Sequence, residues 1–160
     1  MPTFKWLWKE VGNNLDIYKT FPRLSGECGG KNFHVVHESA DIKSASIATV
    51  RSAFEYSGQK CSAASRLYVC ESKWPEMRDH MLEILGELKI DSPIDFETFT
   101  SSVIDERSFD KIQSYIDYGL SRKQHVKLIY GGKCDKTKGY FIQPTIFETT
   151  DPHDKLMREV

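Results

Sequence analysis

The sequence predicts an α/β fold with a mainly parallel sheet flanked by helices, on three observations. Short apolar runs of β type recur at residues 33–37, 66–70 and 126–130. Amphipathic stretches of helical length separate them, and crossovers of this kind join parallel neighbours. The 160 residues, 39% hydrophobic and 12% aromatic, are enough for one buried core and short for two ordinary domains.

The elements follow in order. Phe4, Leu7, Trp8, Val11 and Leu15 recur at helical spacing, so residues 4–19 are expected to form an amphipathic helix. A glycine-rich turn at 26–30 precedes the first strand. Ser39 or Asp41 caps a helix through Ile42, Ala45, Ala48 and Phe54, which stops near Gly58. After a polar turn at 58–62 comes a buried strand at 66–70. Ser72 and Pro75 open the strongest helix, with Met77, Met81, Leu82, Leu85 and Leu88 on one face. Residues 91–102 form a loop, and Ser108 precedes a helix carrying Phe109, Ile112, Ile116 and Leu120. Val126, Leu128 and Tyr130 alternate as a strand, Gly131-Gly132 turns, and an extended run spans 140–147. Pro144 favours an edge or a break in that run. Residues 1–160 are therefore expected to be one domain or a contiguous piece of one.

Charge excludes several functions. Twenty-two basic residues against 23 acidic ones give no basic stripe for nucleic acid. No apolar run approaches the roughly 18 residues needed to span a bilayer, so no membrane partner is expected. The first residues lack the apolar core of a secretory signal and the arginine-rich character of a transit peptide. Cys28, Cys61, Cys70 and Cys134 form no CxxC pair and no Cys/His spacing of a zinc site, so no metal is expected and the thiols read as reduced.

Nucleotide motifs fail on spacing. Gly26-Glu27-Cys28-Gly29-Gly30-Lys31-Asn32 has too few residues between its outer glycines for a P-loop and ends in Asn, not Ser or Thr. No Gly-x-Gly-x-x-Gly occurs. What remains is a thiol and a carboxylate. Cys61 stands in a polar turn beside Lys60, Ser62 and the small Ala63 and Ala64, where a substrate could approach the sulfur. Glu27, near glycines in the earlier turn, is a candidate base. By spacing alone, a small buried thiol and a solvated turn carboxylate are the stronger readings.

Three segments, in order, resemble signatures of the aldehyde dehydrogenase superfamily. Glu27-Cys28-Gly29-Gly30-Lys31 is similar to its Glu-x-Gly-Gly-Lys motif, Gly58-Gln59-Lys60-Cys61-Ser62-Ala63 to its nucleophile motif, and Gly139-Tyr140-Phe141-Ile142-Gln143-Pro144-Thr145 to a third segment. Thr20-Phe21-Pro22-Arg23-Leu24, Arg51-Ser52-Ala53-Phe54-Glu55-Tyr56, Ser65-Arg66-Leu67-Tyr68-Val69, Ser102-Val103-Ile104-Asp105 and Gly131-Gly132-Lys133-Cys134-Asp135 resemble the branch that oxidises glutamate γ-semialdehyde.

The resemblance implies a catalytic-domain fragment, with most of the NAD-binding domain and the oligomerisation hairpin lying elsewhere. It implies Cys61 as the nucleophile that forms a thiohemiacetal and then a thioester, with hydride leaving to NAD. It implies Glu27 as the base for the deacylating water, and the Cys61 backbone N–H as an oxyanion donor. Lys60 and Ser62 are implied at the substrate, and Pro2 and Thr3 at the cofactor through a helix N-terminus. Glu159 is implied at the cofactor ribose. Counted from Asp151-Pro152 it is the first Glu of the family's pair, with Val160 at the second position; counted from the following residue it is the second. Both alignments stay open. A small aldehyde substrate, homo-oligomeric full-length relatives and the mitochondrial matrix are implied too. The 160 residues alone are expected to be inactive, and the alternative is a catalytically silent binding or regulatory partner.

Overall fold

A computed structural model describes residues 2–159. It divides into two compact units, residues 2–30 and 31–159.

In the first unit, helix α1 spans Pro2–Asn13. The periodicity predicted a helix to residue 19, and the chain leaves it earlier. Asn14 turns out of helical geometry, its side-chain amide donating to the Glu10 carbonyl at 2.7 Å, and one turn of 3-10 helix follows at Leu15–Ile17. Gly12, Asn13 and Asn14 are poor helix formers, and three in a row outweigh the apolar spacing beyond them. Phe4 and Trp8 meet edge to face one turn apart, with ring centroids 5.6 Å apart. Residues 21–30 carry no regular structure.

The second unit opens with strand β1 (Asn32–Val36), followed by α2 (Ile42–Phe54) and β2 (Ala64–Val69). The two strands pair in parallel, Val36 opposite Val69, as the predicted crossover requires. Asp41 is the cap of α2, accepting the Ser44 N–H at 2.7 Å. Helix α3 (Trp74–Glu87), with Pro75 in its first turn, packs against α2. Met77, Met81 and Leu85 meet Ile42, Val50 and Val36 to form the core.

Helix α4 (Glu106–Ser121) starts two residues before Ser108. Its cap is Asp105, whose carboxylate accepts the Ser108 N–H at 2.7 Å, so Ser108 lies inside the first turn. Strand β3 (Val126–Tyr130) then pairs antiparallel with β6 (Ile146–Thr149), and β4 (Cys134–Asp135) pairs antiparallel with β5 (Phe141–Ile142). The α/β class holds, with β1 and β2 the parallel pair among the described strands and one further parallel bridge between Ile90 and Thr100. No helix separates β3 from β6, and a connection without a crossover returns its strand antiparallel. Pro144 interrupts the extended run between β5 and β6, as expected for a residue with no N–H to donate. Gly131, at φ +81°, permits the reversal after β3; a Cβ there would stand 2.0 Å from the Pro144 carbonyl oxygen.

Helix α5 (Lys155–Arg158) closes the unit. Its cap, the buried Asp154, accepts the Leu156 N–H at 2.8 Å and lies 3.5 Å from Arg122 Nε on the C-terminal side of α4. Among the described residues no helix is long and apolar enough to cross a membrane.

Candidate active site

Lys60, Cys61 and Ser62 occupy one exposed turn between α2 and β2. The turn begins with an abrupt stop to α2. After Glu55, Tyr56 and Ser57 both adopt φ +57°, and Gly58 follows at φ +70°. A Cβ on Gly58 would sit 2.9 Å from the Ala53 carbonyl oxygen, so this position needs glycine for its angle and for its space.

Hydrogen bonds hold both flanks of the turn. Upstream, the Ser57 N–H donates to Thr100 Oγ1 at 2.7 Å and the Ser57 hydroxyl donates to the Ser101 carbonyl at 2.6 Å. The Ile104 N–H donates to Gln59 Oε1 at 2.9 Å. Downstream, Asn32 Nδ2 donates to the Cys61 carbonyl and reaches the Ala63 carbonyl at 3.3 Å. The Ala63 N–H closes the turn on the Lys60 carbonyl at 3.1 Å. The thiol thus sits at the tip of a loop whose backbone is pinned on both sides.

Charge at the turn is already partly paired. The Lys60 ammonium lies 2.8 Å from Glu55 Oε2, and Arg51 reaches the other oxygen of that carboxylate at 3.4 Å. The hydrogen bond from Lys60, then its charge and the contact with Arg51, hold the Glu55 carboxyl below the usual range. Lys31 is half-buried, and burial followed by the Arg66 charge lowers its ammonium pKa. The other thiols differ in setting. Cys28, Cys70 and Cys134 are partly buried whereas Cys61 is exposed. Burial, and then the Asp117 carboxylate, pushes the Cys134 thiol up and so disfavours its thiolate.

The remaining sequence-predicted residues belong to other segments of the chain. Glu27 is exposed in the irregular segment of the first unit, and Pro2 and Thr3 are exposed at the start of α1. With 12 residues, proline at its start and no acidic residue in its first turn, α1 suits a dinucleotide pyrophosphate at its free N–H groups. Glu159 follows α5, its carboxylate accepting the Tyr115 hydroxyl at 2.8 Å. Val160, the alternative ribose position, lies outside the described residues. No cluster of three or more potential metal-ligating side chains forms among the described residues.

An apolar cleft of about 250 Å³ lies beside the upstream anchor, with Phe54, Ser57, Thr100, Tyr115 and Pro144 in its wall. Lys60, Cys61 and Ser62 do not line it. The Cys61 thiol is therefore in the surface turn, and the cleft lies beside the upstream anchor of that turn.

Sequence reasoning missed Asn32, Ser57 and Thr100 as supports of the turn. Asn32 stands directly after the Glu-x-Gly-Gly-Lys motif, a position that carries a signal. Thr100 lies in a loop 43 residues from Ser57 and carries none.

Comparison with known proteins gives a consistent result. The aldehyde dehydrogenase family model matches residues 9–159. The mitochondrial delta-1-pyrroline-5-carboxylate dehydrogenases of Danio rerio and Homo sapiens are 56% and 52% identical to this chain over 99% of its length. The chain spans only 29% and 28% of those two proteins. The crystal structure of the Mycobacterium tuberculosis delta-pyrroline-5-carboxylate dehydrogenase superposes with a TM-score of 0.89 at 39% identity, covering 95% of this chain and 28% of that one. A Thermus 1-pyrroline-5-carboxylate dehydrogenase with bound NAD gives a TM-score of 0.87 at 30% identity, covering 99% of this chain and 30% of that one.

Proposed function

The chain belongs to the aldehyde dehydrogenase family, and from that premise we propose that it serves as the thiol-bearing part of a longer NAD-dependent enzyme. That enzyme oxidises L-glutamate γ-semialdehyde, the open form of Δ1-pyrroline-5-carboxylate, to L-glutamate in proline breakdown in the mitochondrial matrix. The substrate and compartment rest on the names of the relatives. The single observation that carries the chemistry is the exposed Cys61 in a turn pinned at both flanks.

In this reading the Cys61 sulfur attacks the aldehyde carbon and forms a C–S bond, and the Cys61 backbone N–H stabilises charge on the former carbonyl oxygen. NAD, when bound, supplies the acceptor for the hydride that oxidises that carbon. By the family resemblance, Pro2 and Thr3 at the start of α1 would serve the cofactor's pyrophosphate, and Glu159 would serve its ribose. Glu27 then takes a proton from water, whose oxygen attacks the thioester carbon. The C–S bond breaks and Cys61 leaves with its electron pair. Lys60 and Ser62 border the approaching substrate.

Substrate protection tests the first step. The purified chain is alkylated with iodoacetamide with and without L-glutamate γ-semialdehyde, and each cysteine is followed by peptide mass spectrometry. Reversible addition of the aldehyde is expected to slow alkylation of Cys61 and leave Cys134 unaffected. If Cys61 is indifferent to the aldehyde, it is not the nucleophile.

A further inference from the structure

Tyr56 and Ser57 both carry a Cβ in left-handed backbone, immediately before Gly58 and close before the thiol. Such geometry is costly for L-residues and persists where the surroundings over-determine it. Here a relay of hydroxyls does so. Thr100 Oγ1 accepts the Ser57 N–H at 2.7 Å and stands 2.8 Å from Ser57 Oγ. Because the Ser57 hydroxyl hydrogen goes to the Ser101 carbonyl at 2.6 Å, Thr100 is the donor in the hydroxyl pair. Every polar group of the relay is then used. Thr100 is itself fixed, only 5% exposed and bridged to Ile90 beyond α3.

The relay lies well placed to act on Cys61. It fixes residue 57, Gln59 receives the Ile104 N–H, and Asn32 holds the Cys61 carbonyl from the other side. Acyl transfer needs two atoms of Cys61 in register with one carbonyl: the sulfur at the carbon and the backbone N–H at the developing oxyanion. Simple alkylation needs only the sulfur.

We propose that Thr100, acting through Ser57, is a positioning residue for Cys61: the relay locks the left-handed turn so that sulfur and N–H face an incoming carbonyl together. This rests on Cys61 as the nucleophile. Thr100 touches no substrate in this role. It sets the geometry of the backbone that does.

The test compares two reactions of the same thiol. With p-nitrophenyl acetate, the Cys61 thiolate bonds to the acetyl carbon and p-nitrophenolate leaves with the electron pair of the broken C–O bond, the thiol proton having gone to buffer. The burst of p-nitrophenolate gives the acylation rate. Iodoacetamide, followed at Cys61 by mass spectrometry, gives the alkylation rate. Thr100→Val is expected to slow acylation about tenfold or more while leaving alkylation unchanged, and Thr100→Ser is expected to restore the parent rate. An unchanged burst in Thr100→Val overturns the proposal. So does a fall of both rates together with loss of cooperative melting, which marks a folding role only, and so does failure of Thr100→Ser to rescue. A burst that survives Cys61→Ala overturns the nucleophile reading and the positioning role with it. A burst lost in Cys61→Ala but untouched in Thr100→Val overturns the positioning role alone.

Discussion

The Asn32 side chain ties the start of β1 to the thiol turn, its amide donating to the Cys61 carbonyl and reaching the Ala63 carbonyl at 3.3 Å. The residue directly after the Glu-x-Gly-Gly-Lys motif is therefore a structural partner of the nucleophile motif, and two segments 29 residues apart form one support. Replacing Asn32 by Ala removes both donors from carbonyls in a partly exposed site. The expected loss is about 1 kcal/mol in urea unfolding, with slower ester acylation at Cys61. Equal stability and an equal burst would refute the coupling.

Core substitution tests the packing of α2 on α3. Met77 is fully buried among Val36, Ile42, Val50, Met81 and Leu85. Met77→Ala is expected to cost about 2–5 kcal/mol through lost burial and the cavity left behind. Met77→Leu, nearly equal in volume, should cost less than about 1.5 kcal/mol. Chemical denaturation of the two variants reads the difference, and equal losses would argue against a packed site.

The reversal after β3 depends on Gly131. At φ +81°, with the Pro144 carbonyl oxygen 2.0 Å from where a Cβ would stand, no side chain fits without backbone movement. Gly131→Ala should destabilise by more than about 1 kcal/mol, the left-handed cost alone. Gly86 has open space around it and ordinary helical backbone, so Gly86→Ala should be neutral or stabilising. Thermal melts should show a lowered melting temperature for Gly131→Ala and no lowering for Gly86→Ala.

The caps of α2 and α4 carry a pH signature. The hydrogen bond from the Ser108 backbone N–H, and then that from its side chain, hold the Asp105 carboxyl below its ordinary value of 3.8, and Ser44 does the same for Asp41. A depressed carboxyl contributes stability that is fully present above its unfolded value and is lost as pH falls through the lower folded value. Melting temperature should therefore drop through the region at and below pH 3.8. Asp105→Asn, which still caps but does not titrate, should show a shallower drop over that window. Identical pH profiles would show that the Asp105 carboxylate is not linked to stability.

What could be read along the chain was what local chemistry fixes. Asp41 and Pro75 mark helix starts because capping and the missing proline N–H act within one turn. Met77, Met81 and Leu85 are on the buried face because helical spacing puts them there. The motifs around Glu27 and Cys61 carried the family, since their residues and their order resemble its signatures. Where local rules compete, the sequence misleads. Apolar spacing extended α1 past the Asn13-Asn14 break, and Ser108 hid the better cap at Asp105.

The sequence by itself determined the family, the order of the main helices and the turn that carries Cys61. Only tertiary structure decided that β3 and β6 run antiparallel, that Tyr56 and Ser57 take left-handed backbone, and that Asn32 and Thr100 brace the two flanks of Cys61. Strand direction depends on which distant segments bury each other's faces. A left-handed serine becomes tolerable only when partners far along the chain supply its hydrogen bonds. Neither condition exists until the chain has closed on itself, so no local pattern records it.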